Sequence, residues 1–380
     1  MEVLQLNRLH TPFHYDFVGS FLRPDYLKQA RLDYENKKIT KEKLTDIENQ
    51  AITDLIKKQK ELGYHVITDG EFRRATWHLD FMWGFNGIEH TKTTTGNTTF
   101  NNEAAMIDDT FMVSKISLDT HPFVEHFKFV KQFEDENTIA KLTIPSPGQF
   151  YAYFTGREKT REMLKYYQNR QEFADDLVAT YQKFIHEIYQ AGCYNLQFDD
   201  CVWGGLVDKN MASVLTGRTG KELDAYKLEL LDINNRVIDG KPDDMYINTH
   251  VCRGNYHSTF FSQGAYDSVA ELLFGQENVD AYYLEFDDER SGSFAPLKYV
   301  TGNKKVVLGL VTTKTPELEN KDEIIKRIYQ AANYIPLERL YLSPQCGFAS
   351  CEIGNKLTEK QQWAKLKLVK EIAKEVWKED

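Results

Sequence analysis

Eight short β-rich runs alternate with long helical patterns along this chain, and no other feature restricts its fold as much. The runs occupy residues 17–21, 65–72, 140–145, 195–200, 246–252, 281–287, 305–311 and 340–346. Strands that alternate with helices predict a parallel sheet covered by helices. We therefore expect an α/β fold, a single (β/α)8 TIM barrel, with a doubly wound open sheet as the alternative.

Three of the helical patterns have clear end signals. Thr40 is a candidate N-cap in front of one apolar stripe, and Gly192 is a candidate stop after another. Thr358 and Gln361 match the capping-box pattern in front of the last helix. The three stripes are Leu44, Ile47, Ala51 and Leu55; Phe173, Leu177, Tyr181, Phe184 and Ile188; and Trp363, Leu366, Val369, Ala373 and Val376.

The length of 380 residues exceeds what such a barrel requires. About 250 residues suffice for the fold, so roughly 130 belong to insertions and extensions. One insertion spans about residues 86–120, after strand two, and its Thr- and Asn-rich sequence predicts β-structure. A second lies between Trp203 and Pro242. No repeat or Pro/Gly linker divides the chain, so we predict one catalytic domain over residues 1–380.

The composition excludes several classes of function. With 47 Lys and Arg against 57 Asp and Glu, the formal net charge is −10, so no net positive field attracts nucleic acid. No apolar run approaches the roughly 18 residues that span a bilayer. Polar residues interrupt the first twenty positions, which argues against a secretory signal. The five cysteines are few and odd in number, which is typical of a reducing compartment, so we expect a cytoplasmic protein.

The carboxyl ends of the runs contain most of the residues suited to chemistry, and a barrel of this type has its active site there. His250 and Cys252 end the fifth run and, being two residues apart, point to the same side. Glu285 ends the sixth run and Cys346 the eighth, so a barrel lets both converge on the fifth. The other polar residues at these ends are Ser20, Asp69, Glu71, Asp199, Asp200, Asp287 and Asp288.

One histidine, two cysteines and one carboxylate match tetrahedral zinc in ligand type and number. A buried cysteine beside a hydrogen-bonded histidine is the structural alternative for the local His-x-Cys pattern. Placement of all four candidates at strand ends favours zinc. His78 and His257 are candidate substitutes for a ligand, although both lie off the strand pattern.

The acidic residues divide into two groups. Asp69 is placed to close the turn before Gly70, and Asp200 and Asp288 suit a helix cap or a partner for arginine. Glu71 and Asp199 lie on the inward-pointing phase of their strands. We therefore expect Glu71 and Asp199 to face the site.

At these residues the sequence resembles the cobalamin-independent methionine synthase family, specifically its C-terminal catalytic barrel and the short single-barrel relatives. The matching segments lie on six of the eight runs, in the same order. They are Val18-Gly19-Ser20-Phe21, Asp69-Gly70-Glu71-Phe72, Gln197-Phe198-Asp199-Asp200, His250-Val251-Cys252, Leu284-Glu285 and Pro344-Gln345-Cys346-Gly347.

The resemblance implies a zinc-dependent methyltransferase that methylates homocysteine thiolate to methionine. In that family the residues matching Ser20, Glu71 and Asp199 hold homocysteine, with the acids facing its amino group and the serine region its carboxylate. The catalytic Zn²⁺ is bound by the residues that match His250, Cys252, Glu285 and Cys346.

The sequence departs from the family pattern in three places. The long members have an additional N-terminal barrel. They also have a tryptophan after the third strand that helps to hold folate, where this chain reads Pro145-Ser146-Pro147-Gly148-Gln149-Phe150. A histidine that protonates the leaving folate is replaced within Thr312-Thr313-Lys314-Thr315. The methyl donor is therefore either methylfolate or another donor, and a partner protein is a further candidate source of the methyl group.

Three other functions fit parts of the pattern. A zinc-dependent alkyltransferase could act on a different thiol, such as coenzyme M, with a corrinoid or epoxide donor; the acids Glu71 and Asp199 favour an amino-acid thiol instead. A non-catalytic metal-binding barrel belongs to another class, and a metal-free hydrolase or lyase using the same two acids is a weaker option. Measured metal content separates these classes.

Overall fold

The computed structural model describes residues 8–93, 98–100, 103–157 and 159–378. The strands within these ranges are β1 Val66–Ile67, β2 Asn86–Thr91, β3 Thr98–Phe100, β4 Glu103–Ala105, β5 Asp109–Ser117, β6 Ile139–Ala140, β7 Leu142–Pro145, β8 Asn195–Asp199, β9 Tyr246–Val251, β10 Ala281–Glu285, β11 Lys305–Val311 and β12 Leu340–Pro344. The α-helices are α1 Asp25–Glu35, α2 Lys41–Glu61, α3 Leu79–Met82, α4 Pro122–Lys131, α5 Pro147–Thr155, α6 Thr160–Met163, α7 Arg170–Gln190, α8 Cys201–Leu206, α9 Lys209–Thr216, α10 Gly220–Asp239, α11 Asp267–Gln276, α12 Lys321–Ala331 and α13 Glu359–Trp377.

Six strands form one parallel sheet in the order β7-β8-β9-β10-β11-β12, so sheet neighbours are also sequence neighbours. β1 pairs in parallel with β6, which Lys141 alone separates from β7. At the opposite edge, Tyr15 makes a parallel bridge to Leu342 of β12. The predicted α/β class is confirmed, and the six parallel strands are consistent with a TIM-like barrel.

The predicted first strand, residues 17–21, is wrong as a regular strand. No strand ladder forms there in the described structure: three of its backbone groups bond to side chains, and Phe21 N and Ser20 O bond to the backbone of loops at Gly70 and Phe348. Phe17 N donates to Asp16 Oδ1 at 2.7 Å, Val18 O accepts from Gln197 Nε2 at 3.0 Å, and Gly19 O accepts from Thr68 Oγ1 at 2.9 Å. Side-chain partners of this kind hold the segment extended without a ladder, and sequence periodicity does not reveal them.

The three marked helices form as predicted. Thr40 accepts a hydrogen bond from Lys43 N and caps α2. α7 ends two residues before Gly192. The Thr358–Gln361 capping box at the start of α13 has both of its hydrogen bonds. Each helix buries most of the predicted apolar stripe, with Ile47 and Trp363 half-buried, because residues three and four apart share one face.

Antiparallel strands occupy the stretch between α3 and α4. β2 pairs with β5, and β3 pairs with β4. The insertion predicted at about residues 86–120 covers this stretch, but its residues 94–97, 101 and 102 lie outside the described ones.

None of the helices in the described ranges is both long and apolar enough to cross a membrane.

Candidate metal centre and acidic pocket

The structure brings together the four residues predicted as metal ligands. His250 lies on β9, Cys252 directly follows it, Glu285 ends β10 and Cys346 follows β12 by two residues. One ligand atom from each lies within 4.8 Å of the others, and all four residues are buried. The sulfur atoms of Cys252 and Cys346 are 3.6 Å apart. Parallel strands that end at one edge explain why residues so distant in sequence meet.

Two of these side chains each have an atom that could bind a metal and that makes no hydrogen bond to the described residues. His250 Nδ1 lies 3.2 Å from Tyr283 O, so it donates to this carbonyl and leaves Nε2 with a free lone pair. Glu285 Oε1 accepts from Arg253 N at 3.0 Å. His250 Nε2 and Glu285 Oε2 are buried without a hydrogen-bond partner among the described residues. Buried polar atoms without partners are costly, so the donor set fits a bound cation.

Arg253 fixes the loop behind the metal ligands, and sequence reasoning missed this residue. Its guanidinium is buried and donates to Glu285 O and to Tyr266 OH, both at 2.9 Å. Tyr266 OH in turn accepts from Glu285 N at 3.0 Å. These bonds orient Glu285 from behind, as the outer hydrogen bonds of metal sites do. The only signal in the sequence is an arginine directly after the His-x-Cys pattern.

A third thiol lies beside the cluster. Cys201, which is not one of the predicted ligands, is hydrogen-bonded to Cys252, and this contact raises the pKa of Cys252 well above its usual range. The hydrogen bond with Cys252, followed by burial, does the same for the pKa of Cys346. α8 packs closely here, because a Cβ on Gly204 would lie 1.8 Å from Cys252 O. The thiols are therefore protonated without a metal, and metal uptake has to release protons.

Glu71 and Asp199 are two buried carboxyls that interact electrostatically, and we refer to this pair and its surroundings as the acidic pocket. Glu71 is 3% exposed and Asp199 is 5% exposed. Glu71 Oε1 accepts from Thr143 Oγ1 at 2.9 Å, whereas its Oε2 atom is buried with no partner among the described residues. Asp199 Oδ1 accepts from Gln197 Nε2 at 2.8 Å. Glu71 has φ +62°, a conformation that is costly for a residue other than glycine and is found mostly at functional sites.

Arg74 Nη1 lies 3.4 Å from Glu71 Oε1, yet the pKa values of both acids remain raised. Burial raises the pKa of Glu71 to about 7, opposed by Arg74 and reinforced by Asp199. Burial likewise raises the pKa of Asp199 to about 7, opposed by the hydrogen bond from Gln197 and by Arg74. A cationic ligand between the carboxyls would favour their ionised form. The pocket is therefore suited to an ammonium group.

Ser20 connects the acidic pocket with the loop of Cys346. It is buried, and its Oγ accepts from Ala349 N at 3.3 Å. A Cβ on Gly347 would lie 1.9 Å from Ser20 Oγ, so glycine permits this approach. On the other side, Arg23 donates to Glu71 O at 2.7 Å. The predicted substrate residues thus border the predicted metal ligands.

The other carboxylates have structural partners. Asp69 Oδ1 accepts from Glu71 N at 2.8 Å and closes the turn. Asp200 Oδ2 accepts from Ser146 Oγ at 2.6 Å, and burial raises the pKa of Asp200 to about 6. Asp288 caps a 3-10 helix and accepts from Arg290 N at 2.9 Å. Asp69 and Asp288 thus have the turn and cap roles expected for them, whereas Asp200 precedes α8 without a side-chain cap bond and bonds to Ser146 instead.

The two substitute histidines lie elsewhere. His257 Nδ1 is 2.5 Å from Glu103 Oε1. His78 stacks on Trp77 with ring centroids 4.4 Å apart. Neither residue belongs to the metal-type cluster found among the described residues.

Comparisons with known proteins agree with this arrangement. Residues 14–97 and 160–375 match the family model described as cobalamin-independent synthase, catalytic domain. The chain is 43% identical to the uncharacterised protein YxjG of Bacillus subtilis over 99% of this chain and 98% of that one. It is 24% identical to a methionine synthase of Pyrococcus abyssi over 95% and 93% of the two chains. A solved structure of a candidate vitamin-B12-independent methionine synthase from Listeria monocytogenes is 37% identical, with a TM-score of 0.75 over 98% of this chain and all of that one.

Proposed function

The chain belongs to the cobalamin-independent methionine synthase family, and we propose that it is a zinc-dependent methyltransferase that converts homocysteine to methionine. The single observation that supports this most is the adjacency of two sites. The cluster of His250, Cys252, Glu285 and Cys346 lies next to the acidic pocket, because Asp199 on β8 is the register partner of His250 on β9. A metal suits the thiol of the substrate, and the pocket suits its ammonium group.

Zinc is the proposed metal because the donor set contains two sulfurs, one imidazole and one carboxylate. This mixture is typical of zinc and unlike the all-oxygen sites of magnesium or calcium. Zinc bound there would lower the pKa of a coordinated thiol, ordinarily about 8.5, and so supply a thiolate at neutral pH.

The chain's own residues supply binding and orientation. In this proposal Glu71 and Asp199 hold the substrate ammonium, and Ser20 lies where the substrate carboxylate would bind. Fixing the ammonium and the carboxylate on the α-carbon directs the sulfur towards the cluster, so a bound geometry replaces a random encounter. Burial of all these residues excludes water, which strengthens each charge interaction.

The acidic pocket also decides between thiol substrates. A sulfonated thiol such as coenzyme M has a negative group where homocysteine has an ammonium, and two carboxyls would repel it. The test is an assay of zinc-loaded protein with homocysteine or coenzyme M and a panel of methyl donors. Methionine should form with at least one donor. Methylation of coenzyme M in preference to homocysteine would contradict the proposal, and absence of bound metal would favour a metal-free function.

We expect the binding of methionine, the product, to strengthen as the pH rises from 6 to 8. Below about pH 7 the pair Glu71 and Asp199 holds protons, because burial raises both pKa values. Binding an ammonium requires the ionised pair, so protons are released and affinity gains up to about tenfold per pH unit for each proton. Calorimetry in buffers of different ionisation enthalpy measures the release. An affinity that is flat or falls over this range would contradict the role.

We expect monoglutamyl methylfolate to be a poor methyl donor. The stretch after β7 places Phe150 in the core with no exposure, so it offers no stacking face, and Trp203 is equally buried. The histidine that would protonate the leaving group is replaced near Lys314, and loss of a general acid costs about 10²–10⁴ in rate. Steady-state kinetics with methyltetrahydrofolate as sole donor test this. Turnover near 10 s⁻¹, the order of a typical enzyme, would refute it.

We further propose that the strands close into one TIM barrel and that residues 1–380 are a single catalytic domain. Three contacts support closure: the Tyr15–Leu342 bridge, the hydrogen bond from Phe21 N to Gly70 O at 3.1 Å, and a separate apolar cluster. That cluster consists of Val18, Tyr283, Val307 and Tyr341. The family match omits residues 98–159, and this stretch overlaps the proposed insertion at about residues 86–120. The proposed location is the cytoplasm.

A further inference from the structure

Lys314 follows β11 and has a buried ammonium group that makes no hydrogen bond or ion pair in the described part of the chain. The residue is 9% exposed, and its Nζ atom makes no hydrogen bond there. Burying a charge is costly unless an opposite charge or hydrogen bonds compensate it. A negatively charged ligand at this position would therefore be stabilised.

The two carboxyls on which Lys314 acts electrostatically have hydrogen-bond partners of their own. Lys314 acts electrostatically on Glu285 and Asp287. Glu285 belongs to the metal cluster and accepts from Arg253 N. Asp287 accepts from Arg290 Nη2 at 3.2 Å and 3.4 Å. The ammonium therefore retains its capacity to donate hydrogen bonds to a ligand.

Lys314 also lies away from the acidic pocket. In the sheet, β11 is three strands from β8, which ends at Asp199; this is roughly 14 Å at the usual strand spacing. The cations that act most strongly on Glu71 are Arg74 and Arg23, and those that act most strongly on Asp199 are Arg74 and Lys141. An amino acid has its carboxylate and its ammonium on the same carbon. A substrate anchored at Asp199 therefore does not place its carboxylate at Lys314. A negatively charged group at Lys314 would have to come from the second substrate, the methyl donor.

We propose that Lys314 is a specificity-determining residue that binds a negatively charged group, a carboxylate or a phosphate, of the methyl donor. The inference rests on the proposed methyltransferase function and adds the charge class of the donor. Donors that are purely cationic, such as sulfonium or quaternary ammonium compounds, are disfavoured because the buried ammonium repels them.

The test compares Lys314→Met and Lys314→Arg with Lys305→Met, a control at the opposite end of the same strand. Zinc-loaded protein saturated with homocysteine is titrated calorimetrically with acetate, inorganic phosphate and tetrahydrofolate triglutamate. We expect the unmodified protein to bind at least one of these anions and Lys314→Met to weaken that binding by about tenfold or more. Lys314→Arg and Lys305→Met should retain it. Tetramethylammonium should bind Lys314→Met no more weakly than the unmodified protein. Preference for acetate or for phosphate distinguishes the two anionic groups.

Two results would overturn the inference. In the first, the unmodified protein binds none of the three anions, or Lys314→Met binds them as tightly as the unmodified protein does. The other is loss of zinc from Lys314→Met with anion binding retained, which would make Lys314 a charge balance for Glu285 only. Failure of the unmodified protein to bind homocysteine would instead contradict the proposed function, and anion binding that depends on Lys314 would still be measurable.

Discussion

Cys346→Ser should yield a folded protein that is nearly free of zinc. The serine hydroxyl is a much poorer zinc ligand than a thiolate, and the remaining residues offer three ligands. Changing a residue that merely supports a metal ligand typically costs 10- to 100-fold in affinity, so losing a ligand should cost more than about 100-fold. The metal content of protein purified without added zinc measures the effect, and thermal unfolding reports the fold.

Cys351→Ser is the matched control, because Cys351 lies in the same loop and outside the cluster. It should retain one zinc per chain. Full zinc in Cys346→Ser would remove that residue from the ligand set. Loss of zinc from both variants would show that the shape of the loop, and no particular thiol, determines metal binding.

The sequence reveals most of the architecture because periodicity reports burial. Lys305–Val311 is a strand with the predicted bounds, since its apolar residues are buried throughout. Other strands are shorter than predicted, as in β10, which ends at Glu285 and not at residue 287. Phe286 N still bonds to Gly309 O of β11, but residue 287 already lies in a bend, and residue type does not mark that point. The strand predicted at residues 17–21 does not form for a related reason. The carbonyl oxygens of Val18 and Gly19 bond to side chains that are distant in sequence.

Some features of the candidate site could be predicted from the sequence and others could not. His250, Cys252, Glu285 and Cys346 could be found because strand ends converge in a barrel, so position in the chain already implies proximity. The hydrogen bonds of Arg253 and the contact between Cys201 and Cys252 depend on how loops fold over the sheet. Charge balance is equally hidden. Only the folded structure shows that the Lys314 ammonium has no hydrogen-bond partner among the described residues.

Asp199→Asn should weaken homocysteine binding severely while zinc stays stoichiometric. The side chain keeps its shape and one oxygen but loses the charge that faces the ammonium. Removing one charged partner in a buried site costs on the order of 3–5 kcal/mol, which corresponds to a loss of affinity of about 150-fold to 5,000-fold. Calorimetric titration of zinc-loaded protein with homocysteine measures the change, and metal analysis of the same sample confirms that the cluster is intact.

The pH dependence gives Asp199→Asn a second readout that a general structural defect would not reproduce. Asp199 is one of the groups that raise the pKa of Glu71, after burial. Without that like charge, Glu71 should ionise at lower pH, so methionine binding should release fewer protons near pH 7 and its pH dependence should shift downward. A variant that binds homocysteine as tightly as the unmodified protein, with the same proton release, would show that the ammonium lies elsewhere. The two acids would then be a structural pair that shares a proton.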